Sequence, residues 1–224
     1  MAAAFGIGRF VYTPILPAML SSLDWSKADA GLVASANFLG YFIGALLAGR
    51  PFVAARPRSW LVTALAISAA STAAMAAPSD IASFIGLRFV GGIASAFVIV
   101  CASTLVLERL SFSGRGSLSA LHFAGVGFGI MISAIAVSAM LASGAGWRSL
   151  WIGSGSIAIL AGIVAASLIP AADNVIASSK PESSNAGPTR IGTMVVAYGL
   201  FGFGYVITAT FLVTIVRLIP SLTD

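Results

Sequence analysis

Three ionisable side chains interrupt the apolar runs of this sequence: Arg9, Arg88 and His122. The seven acidic residues, Asp24, Asp29, Asp80, Glu108, Asp173, Glu182 and Asp224, all fall outside the centres of those runs. No carboxylate is therefore placed to neutralise either arginine. An arginine at a bilayer centre costs roughly 2.5–3.5 kcal/mol on insertion scales, so it faces a watery cavity, a partner, or an interface reached by snorkelling. Its planar fork of donors matches a carboxylate, which makes an anionic ligand the economical counter-charge. Arg9 shares a helical face with Tyr12 and Thr13, at i+3 and i+4. It also lies about 10 Å from the start of its run by rise per residue, which leaves snorkelling open. Arg88 is followed by Gly92 and Ser95, and reads either as a cavity charge or as a structural arginine bonded to neighbouring carbonyls. His122 carries the side-chain type that titrates near neutrality, and is a candidate proton relay or a hydrogen-bonded interfacial histidine. Asn37 and Tyr41, four residues apart, are candidates for binding a solute or for bonding between helices.

Other chemistries lack their residues. There is no GxGxxG or P-loop lysine pattern, no GxSxG elbow and no HExxH pair, which argues against a nucleotide-driven machine or a membrane hydrolase. Cys101 is alone and inside an apolar run, so it forms no disulfide framework or metal site and reads as a packing residue. We expect no cofactor, no metal and no enzymatic activity. Net charge is +5, but the cations stand singly at the ends of apolar runs, an arrangement that orients a membrane protein and does not bind nucleic acid.

The elements that must position these residues follow from composition. Of the 224 residues, 58% are hydrophobic and 8% charged, and mean hydropathy is +1.02. A soluble domain carries about 25% charged residues, so most of this surface faces lipid. Lipid leaves no partner for open backbone, so each run is a helix of about 20 residues. The expected segments are 2–22, 28–49, 60–77, 81–107, 117–142, 148–169 and 191–216. "MAAAFGIG" has no cationic start, and further apolar segments follow, so a cleaved signal is not expected. Pro14 and Pro17 free carbonyls in the first helix and can kink it. Gly40-xxx-Gly44 and Gly125-xxx-Gly129 are small-residue stripes that let helices approach closely.

Connections after the second, fourth and sixth segments hold Arg50, Arg56, Arg58, Arg109, Arg115, Lys180 and Arg190; the opposite side holds Lys27, Arg148 and Arg217. This asymmetry places the N-terminus and the long linker of a multi-pass membrane protein in the cytoplasm. Residues 170–190, "PAADNVIASSKPESSNAGPTR", read as a cytoplasmic linker. "FGIGRFVYTPILPAML" at 5–20 aligns with "FGFGYVITATFLVTIV" at 201–216, matching at Phe5/Phe201, Gly6/Gly202, Gly8/Gly204 and Leu16/Leu212. An even number of crossings separates the two, as in a parallel repeat of six-helix halves.

These features resemble the major facilitator superfamily (MFS), and within it the YbfB/YjiJ-type bacterial subgroup. The resemblance rests on "GIGRFVYTPILP", "GLVASANFLGYFIGALLAG" and "GFGYVITATFL". It extends to "RFVGGIASA" at 88–96, where Arg88, Gly92 and Ala96 match the fourth-helix pattern, and to "GWRSLW" at 146–151. It implies an all-α polytopic bundle: a six-helix half at 1–169, the linker at 170–190, and the first helix of a second half at 191–224. Twelve helices are expected of members, so about five would be missing and the first helix would be clipped. "LLAGRP" places Gly49 where the superfamily usually has an Asp before Arg50, which argues against a carboxylate-based inner gate. "GVGFGI" replaces the Gly-Pro pattern of antiporters.

The resemblance further implies that segments one, four and seven line a substrate path, holding Arg9, Arg88 and Tyr205. The expected function is secondary transport of a small organic solute, anionic rather than cationic, by alternating access. Its partners would be that solute and the lipid bilayer. Coupling to protons is implied by the family and shown by no residue. The alternative is a truncated, non-transporting membrane protein or an assembly or sensor subunit.

Overall fold

The computed structural model describes residues 1–169, together with Gly192, Thr193, Val196, Ala197, Gly199, Leu200, Gly202 and Gly204, all eight of them helical. The chain divides into two compact units, Met1–Asp173 and Asn174–Asp224. The linker at 170–190 and the remainder of the seventh expected segment, Tyr205 included, lie outside the described residues.

The first unit is built from α1 (Ala2–Leu23), α2 (Lys27–Ala48), α3 (Pro51–Ala54), α4 (Pro57–Ala74), α5 (Ile81–Phe112), α6 (Ser119–Ala142) and α7 (Trp147–Leu168). No strand occurs among the described residues. Five stretches are long and apolar enough to cross a membrane: α1, α2, α5, α7, and α6 with its leading 3-10 turn from Gly116. The third expected segment is helical as α4 but falls outside that group. Its 18 residues include Ser68, Ser71 and Thr72 on a buried face, so protein rather than lipid covers its polar side. The connection after α2 holds the short α3, started by Pro51 at a first-turn position that needs no N–H.

Short-range chemistry sets the helix ends. Ser26 and Asp29 form a reciprocal capping box at α2: the Ser26 hydroxyl accepts from the Asp29 N–H at 3.1 Å, and the Asp29 carboxylate accepts from the Ser26 N–H at 3.0 Å. Asp80 caps α5, accepting from the Ser83 N–H at 2.8 Å and from its hydroxyl at 2.8 Å. Those two bonds hold the Asp80 carboxyl below its usual range. Asp24 turns left-handed (φ 51°) to end α1.

Close approach of small residues sets the packing. α2 lies against α5, where an added methyl at Gly40 would collide with the Phe89 carbonyl and one at Gly92 with the Asn37 carbonyl. At Gly44 it would sit 2.8 Å from Ile93 Cα. α5 continues onto α4 and α4 onto α7, while α1 runs against α6, α7, α5 and α4. α6 buries only Gly129, Ser133 and Val137, a single stripe at i, i+4 and i+8. Gly129 meets Ala2 and Gly6 of α1, whereas a methyl on Gly125 would find Met1 Cβ at an ordinary 3.4 Å. The tight crossing of the second stripe is therefore carried by Gly129. Beneath it, Val11, Ile15, Met19, Val33, Phe84 and Trp151 form the largest apolar cluster.

Gly92→Leu forces side-chain atoms into the α2 backbone, so it should abolish a monodisperse peak in detergent size-exclusion chromatography. Gly127→Leu, where nothing lies within 4 Å, should leave the peak unchanged. Overpacking typically costs about 1–3 kcal/mol, and backbone contact places Gly92 at or beyond the upper end.

Candidate functional site

α1 is not one regular helix. It is π-helical from Ala2 to Arg9, turns at Phe10 and Val11, and is α-helical from Tyr12. The change of winding strands two carbonyls. The N–H groups that would reach the Gly6 carbonyl bond elsewhere, Phe10 to the Phe5 carbonyl at 3.0 Å and Val11 to that of Ile7 at 3.3 Å. The Ser133 hydroxyl of α6 donates to Gly6 at 3.3 Å, sharing its hydrogen with the Ile130 carbonyl at 2.8 Å. One turn later the Thr13 N–H bonds the Phe10 carbonyl at 3.1 Å, and Pro14 has no N–H, so neither supplies the Arg9 carbonyl. Arg88 of α5 supplies it, donating from Nη2 at 3.3 Å. An irregular backbone survives at membrane depth only when side chains complete it in this way. Such π segments also recur at functional sites.

Around this break the structure gathers five of the sequence candidates from three helices. The Arg9 guanidinium carbon lies 4.2 Å from the Tyr41 ring centroid and 4.8 Å from that of Phe38, both on α2, with Phe5 at 5.5 Å and Phe10 at 5.8 Å. Arg88 stacks over the Tyr12 ring at 4.8 Å. The Tyr12 hydroxyl donates to the Ala30 carbonyl at 2.9 Å, and Asn37 donates from Nδ2 to the Arg88 carbonyl at 2.9 Å. Arg9 is 8% exposed, Arg88 6% and Asn37 1%. The two guanidiniums thus sit inside the unit and do not snorkel. Arg88 Nε and Asn37 Oδ1 are buried and make no hydrogen bond among the described residues.

The face expected for Arg9, Tyr12 and Thr13 is altered by the π segment. Arg9 turns towards α2, Tyr12 towards α5 and the Ala30 carbonyl, and half-buried Thr13 contributes its backbone. Pro17 lies inside the α-helical part of α1, three residues beyond Pro14. His122 is not part of the cluster: it pairs with Ser103 (Nε2 to Oγ, 3.2 Å) and borders a cleft with Arg109 and Arg115. Sequence spacing did not single out Phe5, Phe10 and Phe38, because aromatic residues in an apolar run look like lipid-facing bulk. Ser68, Ser71 and Thr72 were also passed over, although a polar group at i, i+3 and i+4 in an apolar helix is a readable sign of a buried face. Ser71 and Thr72 donate to the Ser68 carbonyl at 3.0 and 2.7 Å, and with Arg88 they border a narrow void.

Magnitudes show how the cations are held. Each buried guanidinium costs about 2.5–3.5 kcal/mol to insert, and a desolvated cation–π contact returns about 2 kcal/mol. At Arg88 a ring and a carbonyl therefore offset most of the cost without cancelling the charge. Among the described residues the carboxylates are Asp24, Asp29, Asp80 and Glu108, and none has a buried position. No three His, Cys, Asp or Glu side chains among the described residues gather to hold a metal.

A family model described as "Uncharacterised MFS-type transporter YbfB" matches residues 1–220. An uncharacterized MFS-type transporter of Yersinia pestis (strain Pestoides F) is 30% identical over 120 residues, which is 53% of this chain and 31% of that protein. Like-described proteins of Yersinia pseudotuberculosis, serotypes O:1b and O:3, match with the same identity and coverage. The aligned stretch spans about a third of the length of these relatives.

Arg88→Met should remove the bond to the Arg9 carbonyl and lower the unfolding free energy in detergent by about 1.5–3 kcal/mol, the value of a charged hydrogen bond. Tyr12→Phe, which keeps the ring and loses only the bond to Ala30, should cost about 1 kcal/mol. Equal losses for the two would contradict the role given to Arg88.

Proposed function

Because the chain belongs to the family of uncharacterised YbfB-type MFS transporters, we propose that it forms part of a secondary transporter carrying a small organic anion across the bacterial inner membrane. Transport proceeds by alternating access and is coupled to protons. In this reading residues 1–169 are one six-helix half, 170–190 a cytoplasmic linker and 191–224 the first helix of the second half. The N-terminus is cytoplasmic.

The observation that carries the reading is the buried Arg88 guanidinium, which stacks on Tyr12 and donates to the Arg9 carbonyl, with no buried carboxylate beside it among the described residues. Cation–π and carbonyl contacts stabilise positive charge but leave its field in place. In a low-dielectric interior that field is long-ranged and favours an incoming anion over a cation. Arg88 is the better candidate for direct contact, since its Nε retains a donor. Exchange of the Arg9 carbonyl for a substrate carboxylate at Arg88 would release the break in α1, linking binding to helix movement. Only a differential contact of this kind lets a ligand shift a conformational equilibrium.

The test uses the complete protein in proteoliposomes with an imposed pH gradient and panels of organic anions and cations. We expect uptake of at least one anion class, accelerated by the gradient. Arg9→Ala and Arg88→Ala should each abolish it, with membrane insertion intact. Normal rates in both variants, or transport confined to cations, would overturn the assignment.

A further inference from the structure

A wide cleft of the first unit lies away from Arg9 and Arg88, where α1 begins and α5 and α7 end. It encloses about 670 Å³, within the roughly 300–1,000 Å³ common for small-molecule sites. Its walls include Leu61 and Leu65 of α4, Val98 and Ala102 of α5, and Ala161 and Ala165 of α7. Its mouth carries Arg109, Arg115 and His122, and none of the described lining residues is acidic. Arg109 and Arg115 are exposed, whereas nearby Arg58 is engaged with the Ile169 carbonyl at 3.3 Å, joining α4 to the end of α7.

Charge and apolarity are segregated along the length of this cleft. From Ala102 to Arg109 the apolar trough follows α5 for about 10 Å at 1.5 Å per residue. α5 has 32 residues, so it is about 48 Å long, against about 40–45 Å for a bilayer with its headgroups. With its capped N-terminus at one surface, its Arg109 end reaches the headgroup level of the other. A compact soluble anion would use the mouth and leave the trough empty. A molecule with a phosphate at one end and a hydrocarbon chain at the other matches both parts.

We propose that this cleft binds an acidic phospholipid, its phosphate between Arg109 and Arg115 and one acyl chain along Ala102, Leu105 and Val106. Basic pockets between transmembrane helices are suited to such headgroups, because arginines there attract the anionic phosphate. The acyl chain leaves one hydrocarbon environment for another, so the trough contributes van der Waals fit and no transfer from water. The Ser103–His122 pair, with His122 in the wall, lies at the junction of the apolar and charged parts.

The full-length protein, purified in mild detergent, is analysed by mass spectrometry for retained phospholipid and by thermal unfolding with added phosphatidylglycerol. The double variant Arg109→Gln/Arg115→Gln should retain at least tenfold less phosphatidylglycerol, since losing even one charge-assisted contact gives about tenfold. It should also lose the lipid-induced rise in Tm. Both positions are exposed, so this variant keeps the fold. Ala102→Trp fills the trough and should lower retention with both arginines present, whereas Arg56→Gln, outside the cleft, should not. Unchanged retention in the double variant or in Ala102→Trp would overturn the proposal. So would an equal Tm rise with phosphatidylethanolamine. A rise of the same size with inorganic phosphate or glycerol 3-phosphate would mark a free-anion site and overturn the lipid.

Discussion

In hydrocarbon a peptide carbonyl has no water to accept from, and one left without a donor costs several kcal/mol. α1 creates that situation twice, where its π winding gives way to α winding and where Pro14 withholds an N–H. Side chains from two other helices complete the backbone: Ser133 of α6 reaches the Gly6 carbonyl and Arg88 of α5 reaches that of Arg9. α1 is therefore irregular only because α5 and α6 are present. Their placement against it depends on the same contacts.

That constraint explains why Arg88 is buried within a helix bundle. Its fork serves one carbonyl and its face stacks on Tyr12, while Tyr12 is itself anchored to the Ala30 carbonyl at the start of α2. Asn37 ties α2 back to the Arg88 carbonyl. Three helices thus meet in one polar knot inside apolar surroundings, where each bond is stronger than in water and each omission more costly. A ligand competing for the Arg88 fork would act on α1 directly. In this way the structural role and the proposed transport role of Arg88 share one set of atoms.

The apolar packing around the knot is uneven. Between α2 and α5 the glycines bring backbones into contact, and association without a hydrophobic drive depends on such packing. α6 makes one narrow contact with α1 and leaves Phe128, Met131, Ile132 and Ile135 exposed. In a membrane, lipid satisfies that surface as well as protein does. Mean hydropathy therefore marks the helix without saying which neighbour covers it.

The helices themselves were legible in the amino-acid order, because a period near twenty apolar residues and the backbone's need for internal hydrogen bonds leave few alternatives in lipid. Cap residues such as Ser26, Asp29 and Asp80 act within one turn, so local order suffices to place α2 and α5. The packing glycines Gly40, Gly44 and Gly129 were equally readable, since a stripe at i and i+4 is a local property. The sequence also marked Arg9, Asn37, Tyr41 and Arg88 as unusual, through the cost of polar groups in apolar runs. It did not reveal that they meet. α1's change of winding rotates Arg9 away from Tyr12, the aromatic ring that stacks on Arg88 lies 76 residues earlier in the chain, and the donor to Gly6 comes from a helix 127 residues away. Such contacts are long-range and orientation-dependent, and only the packed bundle selects them.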